Sequence, residues 1–144
     1  MAPPNKWGPP IWRLFHTLAA KLTNDESIPQ LVAHIRNICS LLPCPDCSQH
    51  ATDFWSKTRC ERIKTKVDLV YVLYVFHDTV NKRLKKQPFD KDMLVRYETL
   101  NLQFVYKEFL KAFVVKGNMN ALNESFRRQM VLKRFGKWIS ETRL

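Results

Sequence analysis

Apolar residues recur at intervals of three and four along most of the chain, which is the period of helices with one buried face. The pattern predicts helices over about residues 10–22, 28–41, 45–57, 67–86, 90–113 and 121–139. Residues 1–8 are predicted to be an irregular lead, because the paired Pro9 and Pro10 can open a helix but not continue one. With only three glycines, and most of its eight prolines in the first half, the chain is predicted to be all-α.

Local signals set several of the predicted helix boundaries. Ser27 and Gln30 have the three-residue spacing of a capping box, so they are predicted to start the second helix. Residues 87–89 end the fourth helix, and Gly117 with Asn118 ends the fifth. The last helix carries Leu122, Phe126, Met130, Phe135 and Trp138 among its apolar positions.

The first predicted helix has two apolar stripes, and the second stripe is unusual. It consists of Trp12, His16, Ala19 and Ala20, so that small alanines lie beside a Trp and a His. This arrangement leaves room for a flat group. The alternative is an ordinary core stripe in which His16 is buried and hydrogen bonded.

The helix predicted over residues 67–86 is the most apolar, and hydrophobic residues on nearly all sides of its first three turns predict a central position. One stripe nevertheless contains Tyr74, His77 and Asn81, with Asp78 beside it. Buried polar side chains are costly without partners, so this stripe must bond to protein groups or to a ligand. Four basic residues follow at once, Lys82, Arg83, Lys85 and Lys86. A polar pocket that leads into a basic exit suits an aromatic cofactor that carries phosphate.

Two of the four cysteines, Cys44 and Cys47, lie three residues apart in a proline-rich segment. Pro43 disfavours a helix in the residue before it, and Pro45 is preset for a first helical position, so Cys44 is predicted to be a helix N-cap. The N-terminus of a helix favours a thiolate, as redox or metal chemistry requires, whereas Asp46 opposes it. The pair therefore fits a redox dithiol or half of a zinc site.

Length and charge narrow the function classes. A chain of 144 residues with 45% hydrophobic residues is long enough for one ordinary domain. The net charge of +11 favours anionic partners, and residues 105–144 alone contain nine Lys or Arg against three Asp or Glu. We therefore divide the chain into a core of residues 1–104 and a basic helical extension of residues 105–144. Neither a charged leader before an apolar run nor a stretch of about 18 apolar residues is present, so we expect no signal peptide and no membrane span.

Three motifs occur in a recognisable order. They are Trp7-Gly8-Pro9-Pro10-Ile11-Trp12 followed by His16, Pro43-Cys44-Pro45-Asp46-Cys47 followed by His50, and His77-Asp78-Thr79-Val80-Asn81 followed by Leu84 and Lys86. Over residues 7–97 the chain resembles the Erv/ALR family of FAD-dependent sulfhydryl oxidases, whose signatures are WGPxxW, PCxxC and HNxVN. It is most similar to the compact forms that large cytoplasmic DNA viruses encode.

The resemblance implies a fold, a cofactor and a set of site residues. The fold would be a four-helix bundle with a short fifth helix, which binds FAD at its mouth and forms a homodimer. Cys44 and Cys47 would be the catalytic pair that oxidises protein dithiols, thioredoxin-like or viral proteins among them, with O₂ as acceptor and H₂O₂ as product. The residues implied to bind FAD are Gly8, Trp12, His16, His50, His77, Asn81, Arg83, Lys86 and Tyr97. The place of action would be the host cytoplasm or a virion.

The chain departs from the family pattern in two places. Asp78 replaces the Asn of HNxVN, which exchanges an amide for an acceptor-only carboxylate and predicts altered contacts. The Cys-x16-Cys disulfide of many members corresponds here to Tyr74 and Lys91, so we expect that disulfide to be absent. Cys39 and Cys60 lie outside the motifs, and we expect them to be structural rather than an electron relay.

Two other functions stay open. One is a nucleic-acid-binding module that rests on the basic extension, for which a solvated charged face is the ordinary alternative. The other is a zinc site, although no second paired motif completes a four-ligand set, and we expect no metal. Its ligands would be Cys44, Cys47 and His50 with Cys39, Cys60 or His34.

Overall fold

The computed structural model describes residues 4–113, 120–142 and 144, and the side chains among them except those of residues 4, 5 and 120–123. Its α-helices are α1 (Pro4–Lys21), α2 (Ile28–Cys39), α3 (Pro45–Lys57), α4 (Lys66–Arg83), α5 (Leu102–Phe113) and α6 (Asn120–Thr142). Short 3₁₀ segments cover Asp25–Ser27, Cys60–Arg62 and Lys91–Thr99. No strand occurs within the described ranges, so the prediction of an all-α fold is confirmed.

α1 starts six residues earlier than predicted. It begins at Pro4 rather than near Pro10, and it continues through Pro9 and Pro10, so the prediction of an irregular lead over residues 4–8 was wrong. An internal proline costs a helix about 3 kcal/mol, because it removes a backbone donor and crowds the preceding turn. Burial of Trp7, Pro10 and Ile11 against the core offsets part of that cost.

The start of α2 does not use the predicted capping box. The Ser27 side chain makes no capping hydrogen bond, and the 3₁₀ turn before it is capped by Asn24, whose Oδ1 accepts from the Glu26 N–H at 2.9 Å. Gln30 has another partner, since its Oε1 accepts from Nε1 of Trp138 on α6 at 2.9 Å. A contact between residues far apart in the chain therefore replaced the local one.

The predicted helix over residues 90–113 is two elements. Lys91–Thr99 is a 3₁₀ segment, Leu100 is extended, and α5 starts at Leu102. Oδ1 of Asn101 accepts from the Phe104 N–H at 2.9 Å, which caps the first turn of α5. The predicted domain boundary at residue 104 thus falls inside α5.

α4 is not surrounded by protein as its composition predicted. It buries Leu69, Leu73 and Phe76 on one face, whereas Val67 is 77% exposed and Tyr71 is 57% exposed. Two of the apolar positions named for α6, Phe126 and Met130, are likewise on the surface. Both helices carry more apolar residues than a one-sided contact can bury. The side chain of Leu122 and the stop signal at Gly117 and Asn118 lie outside the described residues.

One hydrophobic core joins the first helices to the last. α1 packs most extensively on α5, and also on Lys91–Thr99 and α4, while α2 packs on α3 and α6. The largest fully buried side chains of the core include Phe15, Leu18, Ile35, Trp55, Phe109, Phe113 and Phe135. Among the described residues, no helix is both long and apolar enough to cross a membrane.

Candidate active site

α1, α3 and α4 enclose a cavity of about 310 Å³, near the lower end of the range of small-molecule sites. Its walls are largely aromatic and aliphatic, from Trp7, Ile11, Phe15 and Phe76. Eight of the residues singled out by the sequence line it, namely Gly8, Trp12, Cys47, His77, Asn81, Arg83, Lys86 and Tyr97. Residues from three separate motifs therefore meet at one place.

The two motif cysteines lie on different sides of the α3 start. Cys44 is the N-cap, with extended backbone angles (φ −130°, ψ 113°), and its Sγ accepts from the Cys47 N–H at 3.3 Å. The predicted N-cap is confirmed. Cys44 is half-buried, whereas Cys47 is 8% exposed and lines the cavity. All four cysteines of the chain are free thiols in the structure.

The pKa of Cys47 depends on burial and on two neighbouring side chains. Burial raises the pKa of the Cys47 thiol, and neighbouring Cys44 raises it further, whereas Arg83 lowers it. Nε of Arg83 is buried and has no hydrogen-bond partner among the described residues. A donor without a partner beside a thiol and a cavity is costly unless a bound group completes it.

Stacked rings form the α1–α4 side of the site. Trp12 stacks on His77 with 4.0 Å between ring centroids and 4° between planes, and Phe89 stacks on the same His77 at 4.1 Å. Nε2 of His16 and Nδ1 of His77 are hydrogen bonded at 2.9 Å. Tyr97 stacks on His16 at 4.7 Å. The predicted stripe of Trp12 and His16 therefore faces the polar stripe of α4.

Both histidines are neutral at physiological pH. Burial, and to a lesser extent His77, lower the pKa of His16 to about 3. Burial also lowers the pKa of His77 to about 4, with Lys86 acting in the same direction and Asp78 against it. A neutral pair can share a hydrogen bond in which one ring donates and the other accepts.

Three predicted site residues do not line the cavity, namely Cys44, His16 and His50. His16 borders a second cavity of about 470 Å³, which Ala19 and Ala20 also line. His16 itself is buried and hydrogen bonded to His77, as the alternative of an ordinary core stripe predicted. Tyr97 lines both cavities. His50 is exposed on α3, because the buried stripe of that helix follows Cys47, Ala51 and Trp55 at intervals of four.

Asp78 and Asn81 hold the segment that follows α4. Oδ1 of Asp78 accepts from the Phe89 N–H at 3.3 Å, and Nδ2 of Asn81 donates to the Gln87 carbonyl at 3.2 Å. Asp78 also lies 3.5 Å from the ammonium of Lys82. The carboxylate in place of the family amide therefore fixes the backbone of Phe89, whose ring contacts both histidines.

Phe89 is the site residue that sequence reasoning missed. The sequence pattern predicts only a helix break at residues 87–89. The available signal was an aromatic residue that follows a proline directly after the polar stripe of α4. In the structure Phe89 lies back against α4, where its ring stacks on His77.

The side chains proposed as zinc ligands in the alternative function do not lie together in the structure. In the described part of the chain, no three Cys, His, Asp or Glu side chains form a group that could hold a metal ion. His34 packs on the rings of Phe135 and Trp138, and Cys60 accepts from Nη1 of Arg36 at 3.8 Å. Burial raises the pKa of Cys39 to about 12, so this cysteine is an unreactive thiol.

The comparison with known proteins agrees with this geometry. The model of the Erv1/Alr family matches residues 9–103, which contain the aromatic residues of α1 after Gly8, the Cys44–Cys47 pair and all of α4. No solved structure matches the chain.

The similar proteins come from viruses. A FAD-linked sulfhydryl oxidase of African swine fever virus is 32% identical over 84 residues, which are 56% of this chain and 70% of that protein. A probable FAD-linked sulfhydryl oxidase of Fowlpox virus is 30% identical over 78 residues, 54% of this chain and 78% of that protein. A relative from Invertebrate iridescent virus 3 is 31% identical over 87 residues, and the chain spans 59% of its length. The family match covers well over half of the sequence, and the chain belongs to the Erv1/Alr family.

Proposed function

We propose that the chain is a FAD-linked thiol oxidase that forms disulfides in protein dithiols, with O₂ as electron acceptor and H₂O₂ as product. The observation that carries the proposal is the position of Cys47. It lies one turn into α3, on the wall of a cavity that it shares with stacked aromatic rings and with two basic side chains, Arg83 and Lys86. The names of the similar viral proteins support the same activity.

The residues around the cavity fit FAD. Trp12 and His77, stacked on each other, contribute aromatic surface to the cavity wall, while Arg83 and Lys86 offer positive charge to a pyrophosphate. The unpaired Nε of Arg83 is the donor that a bound group would complete. The chemistry that FAD supplies when bound is acceptance of an electron pair and its transfer to O₂.

The two cysteines have different parts in thiol exchange. In the oxidised enzyme a substrate thiolate attacks Sγ of Cys44, the more accessible sulfur, and the Cys44–Cys47 bond breaks with Cys47 leaving as a thiolate. A second substrate thiolate then attacks the substrate sulfur of the mixed disulfide and releases Cys44. The substrate loses two electrons and two protons, and the cysteine pair gains the electrons.

Arg83 supports this division of roles. A thiolate at Cys47 is opposed by burial, and the Arg83 guanidinium is the cation that favours it. Cys47 is therefore the sulfur whose charge is compensated at the cavity, while Cys44 is the one that meets the substrate.

The remaining parts of the proposal concern partners and organisation. Substrates would be protein dithiols, thioredoxin-like or viral proteins among them, and the enzyme would act as a homodimer in the host cytoplasm or in a virion. Residues 1–104 would be the oxidase core, and residues 105–144 an extension that packs on it through Phe135 and Trp138.

The proposal is tested by the visible absorption spectrum of the purified chain together with its turnover of dithiothreitol. We expect a flavin spectrum, release of FAD on denaturation, and one H₂O₂ formed per dithiol oxidised. A colourless protein that contains stoichiometric zinc would contradict the proposal and would support the zinc alternative.

A further inference from the structure

α6 contributes one charged side chain to the interior. Arg128 is 6% exposed, and its guanidinium reaches the end of α2. Its Nε donates to the Leu41 carbonyl at 2.7 Å, and its Nη2 donates to the Leu42 carbonyl at 3.1 Å. These bonds join residues separated by more than 80 positions in the chain, and they end two residues before Cys44.

The other contacts of Arg128 account for its charge. Glu124, one turn earlier on α6, lies 3.5 Å from Nη2, and the guanidinium carbon is 5.8 Å from the centre of the Phe113 ring. A buried cation is tolerated only when its donors are paired. The carbonyls of Leu41 and Leu42 are free to pair because they follow the end of α2, where carbonyls have no helical partner.

The segment between α2 and α3 is thus held from two sides. The Leu42 N–H donates to Oγ of Ser48 on α3 at 2.8 Å, and the Leu42 carbonyl accepts from Arg128. Pro43 follows with a fixed φ and no donor of its own. Cys44 comes next, so the position of its sulfur relative to Cys47 depends on how this short segment is fixed.

We propose that Arg128 is a positioning residue for the redox pair, which holds the segment before Cys44 so that the two sulfurs stay within reach of each other. The inference rests on the proposed function in so far as Cys44 and Cys47 are the redox centre. The match to the Erv1/Alr family ends at residue 103, so Arg128 lies in the part of the chain beyond the family match.

The consequence is measurable as a thiol–disulfide equilibrium. With oxidised glutathione, the Cys44–Cys47 dithiol gives up two electrons and two protons to form one S–S bond, and two molecules of reduced glutathione are released. A held segment keeps the effective concentration of one thiol at the other high, which favours the intramolecular disulfide. A loosened segment lowers it, so the disulfide is reduced more easily.

The experiment equilibrates the full chain anaerobically in glutathione buffers, below the melting temperature of every variant, and measures the oxidised fraction by alkylation and mass spectrometry. For Arg128→Gln we expect the equilibrium constant for disulfide formation to fall about threefold or more, because two charge-assisted hydrogen bonds are lost. Arg128→Lys keeps the charge with a single donor group. Its equilibrium constant should lie between those of Arg128→Gln and the wild type.

Two matched controls separate positioning from general loosening. Arg127→Gln removes the same charge from an exposed neighbour. Trp138→Phe removes the α6 bond to Gln30, far from Cys44, so it should lower the melting temperature without moving the equilibrium constant. Equal constants for Arg128→Gln and Arg127→Gln would overturn the proposal.

Two outcomes keep the test decisive. If Arg128→Gln does not fold, Arg128→Lys decides the question in the same assay, and a constant equal to that of the wild type overturns the proposal. The glutathione equilibrium does not need oxygen uptake. A wild type that forms the disulfide but consumes no oxygen would therefore refute the proposed function while the effect of Arg128 is still measured.

Discussion

The region that matches the family and the helix beyond it contribute in different ways. Residues 9–103 hold all four cysteines and all four histidines of the chain, and together with Trp7 and Gly8 they form the walls of the cavity. α6 has neither residue type, yet it buries Arg128, Phe135 and Trp138 against the rest of the protein. The difference between the two regions underlies our proposal that the core supplies the chemistry, while the extension acts through the positions of core residues.

α6 contacts α5, α2 and the segment that follows α2. Trp138 bonds to Gln30, Phe135 packs on His34, and Arg128 bonds to Leu41 and Leu42. The exposed side of α6 is basic and contains Phe126 and Met130. The different contributions of the two regions can therefore be tested by variants on the buried and exposed faces of α6 and by variants in residues 9–103.

The largest effect is expected from Phe135→Ala. Phe135 is fully buried, and its ring contacts Phe109, Tyr106 and Trp138. Loss of a buried phenyl ring should lower the free energy of unfolding by about 3–5 kcal/mol. Urea unfolding measures it, and the folded fraction should keep its bound flavin.

Phe126→Ala is the matched control, since Phe126 lies on the same helix and is 64% exposed. Its free energy of unfolding should stay within about 0.5 kcal/mol of the wild type. Equal stability of the two variants would mean that α6 does not share the core.

In the core, Arg83→Gln should weaken flavin binding about tenfold, because the buried donor at the cavity is lost. The pKa of Cys47 should also rise, since Arg83 is the group that lowers it. Flavin titration and the pH dependence of Cys47 alkylation measure the two effects. Arg59→Gln, which removes an exposed arginine, should change neither one.

Acid should destabilise the core through His16. Its pKa is about 3 in the folded chain and 6.5 as the ordinary value, so below pH 6.5 the unfolded chain binds a proton that the folded chain excludes. The contribution of His16 to the free energy of unfolding is therefore fully present above pH 6.5. Below that pH it falls by roughly 1.4 kcal/mol per pH unit towards pH 3. His77 acts in the same direction.

Urea unfolding at pH 7.5, 6.5 and 5.5 gives the slope. His16→Asn should have a shallower slope than the wild type, whereas His50→Gln, at an exposed position, should keep the wild-type slope. Identical slopes for the wild type and His16→Asn would refute the assignment of a buried neutral His16.

The smallest effect concerns Lys85, whose φ of 57° places it in the left-handed region at the end of α4. Glycine adopts this conformation without strain, so Lys85→Gly should raise the free energy of unfolding by about 0.5–1 kcal/mol. Thermal unfolding measures the gain, and Lys82→Gly, inside α4, should lower stability instead. A loss of stability in Lys85→Gly would show that the lysine side chain matters more than the backbone.

Local chemistry made much of the site predictable. Pro43 and Pro45 determine the N-cap at Cys44 from neighbouring residues alone, and the interval of four places His77 and Asn81 on one face of α4. These features depend on short-range geometry, which the sequence pattern contains.

Features that depend on distant residues were not predictable. Gln30 bonds to Trp138 rather than capping α2, and the buried face around Trp7 keeps α1 helical through two prolines. The burial of Arg128 depends on two carbonyls of another helix. No periodicity in the chain encodes such pairings, because they are settled only when the elements pack.

The most direct test of the central claim is oxygen uptake by the flavin-loaded chain with dithiothreitol as substrate, measured for four single variants. Cys44→Ser and Cys47→Ser should abolish turnover while bound flavin is kept. Cys39→Ser and Cys60→Ser should retain it, because neither residue belongs to the redox pair. Normal turnover in both Cys44→Ser and Cys47→Ser would contradict the account.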